Sequence, residues 1–135
     1  KQWALRPDSA GAGQHRGGMG ATYEIEVLEE SATAFLFGER GRFAPKGVAG
    51  GGDAALNRFE YEQDDGWHAP PMASKMVGIK LQRGQSVRLD TPGGGGYGAP
   101  ANRAAADVAR DVAGGLLTPD YATQTYGPDW KEVTQ

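Results

Sequence analysis

Apolar and polar residues alternate along much of the chain, and this pattern predicts β-strands. Residues 22–29 place Tyr23, Ile25 and Val27 at every second position, with glutamates between them. This period of two is typical of a strand with one buried face. Comparable alternation predicts further strands at residues 57–63, 77–81 and 87–89.

A shorter apolar run at residues 32–37 has a different pattern. Its Ala-Thr-Ala-Phe-Leu-Phe sequence puts apolar side chains on both faces, which predicts a more deeply buried strand. The Glu-Ser pair at residues 30–31 favours a hairpin with the strand before it. Turn residues between 64 and 74, including Asp-Asp-Gly and Pro-Pro, predict a loop there.

The C-terminal third changes to helical spacing. Residues 102–113 contain two valines four positions apart, with alanines filling the same face, and we expect a helix over this range. The glycine pair at 114–115 ends it. The Thr-Pro pair at 118–119 is typical of an N-cap followed by the first helical position, so a second short helix is expected to about residue 125.

Glycine-rich segments at residues 1–21, 38–56 and 91–98 separate these elements and predict loops. We therefore expect one domain over residues 1–135. Its fold class is mainly antiparallel β with glycine-rich loops and one or two C-terminal helices, an α+β arrangement.

The composition adds a shortage of core-forming side chains. Glycine makes 22 of the 135 residues, while Leu, Ile, Val and Phe together make only 21. Small domains already bury proportionally little surface. Because the apolar residues keep strand spacing and the net charge is low, we expect an ordered chain that buries part of its surface against a partner.

Charge and residue content exclude several classes of protein. Lys and Arg number 14 against 17 Asp and Glu, a formal charge of -3, whereas nucleic-acid binders usually show a basic stripe. Cysteine is absent, so no disulfide framework or thiolate metal site is expected. No apolar run approaches the roughly 20 residues that span a bilayer. By default we expect a cytoplasmic protein with no membrane or nucleic-acid partner.

The glycine loops allow two interpretations. Backbone N–H groups in such a loop can bind an anion, and Gly93, Gly94, Gly95 and Gly96 are the candidates for phosphate here. Neither a Walker sequence nor a dinucleotide fingerprint in a βαβ unit is present. The other interpretation, which residue chemistry favours, is that glycine allows tight turns and close packing of backbones, within this chain or across subunits.

Cationic side chains near the loops provide the remaining candidates. Arg16, Arg40 and Lys46 are suited to holding phosphate or bicarbonate, and equally to forming ion pairs at an interface. His15 and His68 stand alone, without the spacing of a catalytic pair or a metal site. We therefore name no catalytic residue and expect no metal bound by this chain alone.

The loops also carry a specific order of residues that resembles the hydantoinase B/oxoprolinase family. One glycine run would be weak evidence, but four segments resemble family motifs in the family's order and cover nearly the whole chain. Two departures are Ala10, where the family often has glycine, and Gln85, where aspartate is common. The four segments are Arg6–Gly20, Glu39-Arg40 followed by Pro45–Gly51, Thr91–Pro100, and Asp111-Val112 with Gly114 and then Tyr126-Gly127.

The resemblance implies a role inside an ATP-dependent enzyme. Members of this family type act with a subunit that phosphorylates an enol or amide oxygen, and their metal-ligand motifs lie in an N-terminal part that is absent from these residues. The chain is therefore expected to correspond to the C-terminal part of a hydantoinase B-type subunit and to work beside larger subunits. ATP and a divalent metal are expected in the complex, bound by those subunits, and the chain alone is expected to be inactive.

Three functions remain open. The chain's size is similar to that of small subunits of acetophenone carboxylases within the family, which implies carboxylation of an aromatic ketone, acetophenone plus bicarbonate giving benzoylacetate. The first alternative is the C-terminal piece of an ATP-dependent hydantoinase or 5-oxoprolinase, which hydrolyses cyclic amides. The second is a structural subunit that completes a large subunit's sheet without contacting substrate.

Overall fold

The computed structural model describes residues 1–133, which form seven strands followed by three helices. A single 3-10 turn at Pro100–Asn102 precedes the helices. The strands are β1 (Gln2–Arg6), β2 (Gly20–Glu26), β3 (Ser31–Phe37), β4 (Arg58–Gln63), β5 (Gly66–His68), β6 (Lys75–Gln82) and β7 (Ser86–Asp90), and the helices are α1 (Ala105–Ala113), α2 (Pro119–Tyr126) and α3 (Trp130–Val133).

The strands form two antiparallel sheets. A five-stranded sheet has the order β1-β2-β7-β4-β5, and β3 pairs with β6 in a separate two-stranded sheet. All the helices follow the last strand. This arrangement confirms the expected α+β class, mainly antiparallel β with C-terminal helices.

One face of the five-stranded sheet is apolar. Directly opposed residues of an antiparallel pair share a face, and Trp3 opposes Tyr23, Tyr23 opposes Leu89, and Leu89 opposes Phe59. The two-stranded sheet packs on the β7 and β4 part of this apolar face. The contact forms the sheet cluster, whose buried members are Leu36, Phe59, Ile79 and Leu81.

The opposite face of the same sheet is polar. Glu24, Arg88 and Glu60 lie side by side across β2, β7 and β4. Arg88 Nη2 lies 2.7 Å from Glu24 Oε2, and the guanidinium carbon lies 4.6 Å from the centre of the Trp67 ring. Arg88 thus lies between two glutamates of opposite charge on this face.

The helices bury a second, independent group of side chains. Thr118 caps α2 by accepting a hydrogen bond from Tyr121 N at 3.3 Å, and Pro119 occupies the first turn, as predicted. The helix cluster consists of Val108, Ala109, Leu117, Ala122 and Trp130.

The longest described helix, α1, has nine residues, so none of the described helices can cross a membrane.

Several sequence predictions need correction at the level of elements. The N-terminal loop contains β1, and the turn-rich segment 64–74 contains the short strand β5. The helix expected from residue 102 begins at Ala105, after the 3-10 turn, and α3 was not predicted. The predicted hairpin at residues 30–31 is wrong, because β2 and β3 belong to different sheets.

The prediction that residues 32–37 are deeply buried is also wrong. Leu36 is buried, but Phe35 and Phe37 are 63% and 75% exposed. β3 has only β6 beside it, and in the described chain nothing covers the outer face of this two-stranded sheet. The apolar side chains on both faces were correctly recognised, but only one face is covered by the residues described.

Candidate functional site

The three glycine loops meet and form one layer, which we call the glycine-loop layer (residues 9–20, 45–55 and 91–98). Its contacts are main-chain hydrogen bonds. Gly11 N donates to Gly94 O at 2.8 Å, and Gly52 N donates to Ala12 O at 2.7 Å. The first loop therefore contacts both of the others, and loops far apart in the sequence are held together by backbone groups.

Glycine is required in this layer because the backbones approach each other closely. A β-carbon added to Gly96 would overlap the carbonyl of Ala12, and one added to Gly95 would overlap the carbonyl of Lys46. Neither glycine has a positive φ. Space, and not backbone conformation, explains these glycines, which agrees with the close-packing interpretation of the sequence.

The proposed phosphate loop uses part of its donors internally. Gly94 N donates to Gly18 O at 2.9 Å, and Gly96 N donates to Gly52 O at 3.0 Å. Gly93 and Gly96 are buried. A loop that cradles phosphate must direct its N–H groups toward the anion, and two of the four candidate donors here are directed at carbonyl groups of the protein.

Arg16 is held in an ion-pair cluster with two residues of the C-terminal region. Its Nε and Nη2 atoms donate to the two carboxylate oxygens of Asp111 at 2.7 and 2.9 Å. Arg103 Nη2 donates to Asp111 Oδ2 at 2.8 Å. Asp111 is buried, and both arginines are mostly covered. This cluster fastens α1 to the first glycine loop.

The electrostatics of this cluster keep it charged. Burial by itself would raise the pKa of Asp111, but the hydrogen bonds and charges of Arg16 and Arg103 outweigh it and hold the pKa below its usual range. The hydrogen bonds that Arg16 donates to Asp111 in turn raise the pKa of Arg16. Arg16 is thus a cation with an internal counter-ion, and it is not directed at an open site.

Lys46 also has an internal partner. Its Nζ atom lies 2.7 Å from Asp53 Oδ2, while Asp53 Oδ1 accepts a hydrogen bond from Gly47 N at 3.1 Å. The hydrogen bond from Lys46 lowers the pKa of Asp53. The Lys46 side chain is 74% exposed, so this pair lies at the surface of the glycine-loop layer.

Arg40 lies away from the other candidates. Its carbonyl accepts a hydrogen bond from Asn57 N at 2.9 Å, and its φ of 64° lies in the left-handed region. Its side chain is exposed and has no hydrogen bond or ion pair within residues 1–133. It lines an open cleft of about 190 Å³ together with Glu39, Arg42, Phe43, Met72 and Lys75.

The candidate residues therefore do not converge on one centre. The backbones of Lys46 and Gly93–Gly96 meet in the glycine-loop layer, but the side chains of Arg16 and Lys46 point to separate carboxylates. Of the two histidines, His15 is exposed and His68 Nε2 lies 2.7 Å from Asp65 Oδ1. No arrangement of nucleophile, base and orienting group is formed by these side chains.

Two polar residues next to Arg6 proved important although sequence reasoning gave them no role. Ser9 is fully buried, donates to Arg6 O at 2.6 Å, and accepts from Gly20 N at 2.8 Å. Asp8 accepts from the backbone and hydroxyl of Thr118, both at 2.8 Å. Both lie inside Arg6–Gly20, the first segment that resembles the family, which was the available signal, and their role here is structural.

The fold and the glycine-loop layer define a β module in which three loops interlock through their main chains. A family model described as hydantoinase B/oxoprolinase matches residues 1–100. The chain belongs to the hydantoinase B/oxoprolinase family.

The relatives are much longer than this chain. Caprolactamase subunit beta from Pseudomonas jessenii is 35% identical over 130 residues, which are 93% of this chain and 22% of that protein. 5-Oxoprolinase from Dictyostelium discoideum is 33% identical over 98 residues, 73% of this chain and 8% of that protein. The chain therefore spans about a fifth or less of the length of these relatives.

Two solved structures share the fold. The ATP-dependent caprolactamase of Pseudomonas jessenii matches with a TM-score of 0.76 and 33% identity, over 93% of this chain and 22% of that one. Nucleotide-free acetone carboxylase matches with a TM-score of 0.72 over 93% of this chain and 21% of that one. Its sequence is 23% identical, so this second match concerns the fold alone.

Proposed function

We propose that this chain is one part of a larger ATP-dependent enzyme and catalyses no reaction by itself. The observation that carries the proposal is the incomplete cover of the apolar sheet face. Trp3 and Ile25 on that face are 78% and 44% exposed, whereas stable single domains cover such a face. This chain spans about a fifth of its family relatives. The remaining part of such a protein could cover the exposed face.

The reaction we propose for the assembled enzyme is hydrolysis of a cyclic amide. Caprolactamase and 5-oxoprolinase are relatives named for an activity, and each is more than 30% identical in sequence to this chain. Carboxylation of an aromatic ketone, acetophenone with bicarbonate, is the second candidate. It is supported by the resemblance of Thr91–Pro100 to the signature of a family that includes acetophenone carboxylases.

ATP and its divalent metal are proposed to bind to the larger subunits. The candidate residues of this chain do not fit a triphosphate site, since Arg16 and Lys46 are paired with carboxylates and two glycine N–H groups are bonded internally. Within residues 1–133, no group of three His, Asp or Glu side chains is placed to hold a metal. The phosphorylation step is therefore not assigned to any residue here.

If this chain contacts the activated intermediate, we propose that Arg40 makes the contact. Its guanidinium is the one among the three candidate cations that has no partner within residues 1–133, and it lines the cleft with Phe43 and Met72. A cation beside apolar side chains suits an organic anion. The competing interpretation is that the chain is purely structural.

Variants of the intact complex separate these two interpretations. If Arg40 contacts the intermediate, Arg40→Ala reduces turnover while the complex still assembles. Arg16→Ala breaks the Asp111 cluster, so it should reduce assembly and leave activity per assembled complex normal. If Arg40→Ala complexes turn over substrate normally, the purely structural role is the interpretation that remains.

The substrate class is tested with the complex purified together with its larger subunits. ATP hydrolysis is measured with caprolactam, with 5-oxoproline, and with acetophenone plus labelled bicarbonate. Turnover of a cyclic amide without ketone is the expected result. Ketone-dependent fixation of label would replace that proposal with the carboxylase, and turnover by the isolated chain would overturn the role as a dependent subunit.

A further inference from the structure

We propose that the free edge of β3 and the uncovered half of the apolar sheet face together form one docking surface for a β-strand of the larger hydantoinase B-type subunit. The inference rests on the proposed function, and it adds the surface, the binding mode and the kind of segment that binds. Two independent features of the fold support it, an uncovered face and an unpaired edge.

The uncovered half lies over β1 and β2. Trp3 and Leu5 of β1 and Tyr23 and Ile25 of β2 are on the same face as buried Phe59, as the cross-strand pairs require. Trp3 and Tyr23 contact edge to face, with ring centres 5.2 Å apart. These side chains form a continuous apolar surface, and they are 38% to 78% exposed.

The hydrogen-bond pattern shows which edge of the two-stranded sheet faces this surface. Arg83 N donates to Glu30 O at 3.2 Å, so this pair is hydrogen-bonded, and bonded pairs alternate along an antiparallel ladder. Thr33 and Lys80, three residues further, are therefore a non-bonded pair whose backbone groups point away from each other. Gln63 Nε2 of β4 donates to Lys80 O at 3.0 Å.

That contact places the outer edge of β6 on the β4 side of the molecule. The outer edge of β3 must then point the other way, toward β2 and β1. In the part of the chain that the structure describes, β3 pairs with β6 alone, and the outward amide of Thr33 has no backbone partner. A strand added at this edge would extend the small sheet over Trp3 and Tyr23.

The geometry specifies the occupant. An added strand satisfies the row of unpaired backbone groups and presents every second side chain to the apolar face. It must therefore alternate apolar and polar residues. The matched residues make up about a fifth of the relatives' length, so the rest of a hydantoinase B-type chain has ample sequence to provide it. A second copy of this chain is the competing occupant.

The edge is tested by removing one backbone donor. Thr33→Pro deletes an N–H that has no hydrogen-bond acceptor within residues 1–133, at an edge position where proline is tolerated. Loss of one interfacial hydrogen bond should weaken binding to the larger subunit about fivefold. Thr33→Val keeps the N–H and serves as the control. Binding is measured by titrating the purified larger subunit with the tagged chain.

The face is tested with two tryptophans. Trp3→Ser removes an exposed aromatic anchor and should weaken binding about 30-fold. Trp67→Ser, on the polar face, should leave the dissociation constant unchanged. Circular dichroism of each variant verifies that the fold is retained. Unchanged binding by both Thr33→Pro and Trp3→Ser would overturn the docking surface while leaving the larger assembly intact.

A crosslinking measurement in the otherwise unaltered complex does not depend on a variant that weakens binding. A photoreactive p-benzoylphenylalanine at position 35 lies on the strand next to the proposed addition, and one at position 67 serves as the control. A crosslink from position 35 to an alternating segment of the larger chain is the expected result. A crosslink to a second copy, or none, would refute the proposal. Failure of the wild-type chain to bind any larger subunit would instead refute the proposed function.

Discussion

Asp111 is the residue whose loss should be most damaging among the charged groups. It accepts three hydrogen bonds from Arg16 and Arg103, and its side chain is only 8% exposed. Asp111→Asn keeps the shape but removes the negative charge and turns one acceptor into a donor. Two largely covered guanidinium groups then face each other without a counter-ion.

The size of the effect follows from this geometry. Breaking a buried ion pair from one side costs about 3–5 kcal/mol. Arg16 is partly exposed and asparagine retains one acceptor, so we expect the lower end, about 3 kcal/mol. Asp107→Asn in the same helix is the control. That residue pairs with Arg110 at the surface, at 2.9 Å, and its loss should cost no more than about 1 kcal/mol.

Acidification should remove the difference between wild type and Asp111→Asn. The folded-state pKa of Asp111 is lowered, so its ionised form stabilises the fold above the unfolded value of about 3.9. That stabilisation is lost as the pH falls through the lower folded-state pKa. Urea denaturation at pH 7 and at low pH measures both effects. A difference below about 1 kcal/mol at pH 7, similar to that of the control, would refute the buried-counter-ion interpretation.

The glycine-loop layer gives the remaining predictions. Gly96→Ala should reduce the yield of folded protein and lower the thermal midpoint sharply, by an effect above about 4 kcal/mol, because its β-carbon overlaps a backbone carbonyl. Gly18→Ala, where no atom lies within contact distance, should leave the midpoint unchanged. Ser9→Ala should cost about 1–3 kcal/mol in urea denaturation by leaving the buried Gly20 N–H without its acceptor. Midpoints equal to wild type for Gly96→Ala or Ser9→Ala would contradict the close packing described here.

The sheets could be predicted from sequence because alternation records which side of a strand is covered. Residues 22–29 and 57–63 alternate clearly, and the structure has β2 and β4 there. The same logic failed for β3. Apolar residues on both faces indicate that both faces need cover, and the sequence does not specify whether the cover comes from this chain or from another.

The position of the candidate site was harder to predict, for a reason of distance along the chain. Arg16 and Asp111 are separated by 95 residues, and neither residue's local sequence indicates the other. Single side chains such as Arg16 and Lys46 are equally suited to a ligand and to a carboxylate of the protein. The glycines were more informative, because only a few physical causes require so many of them.

The shortage of aliphatic side chains and the abundance of glycine have one common explanation. In the glycine-loop layer, main-chain hydrogen bonds and close backbone contacts provide the cohesion that side-chain packing usually provides, with the Asp111 cluster fixing the helices beside it. The few large apolar residues are therefore not needed inside this layer and can lie at the surface of the molecule. Trp3 on β1 and Phe35 and Phe37 on β3 are all more than half exposed. A fold held together inside by its backbone, with several of its aromatic residues outside, is suited to fitting into a larger neighbour.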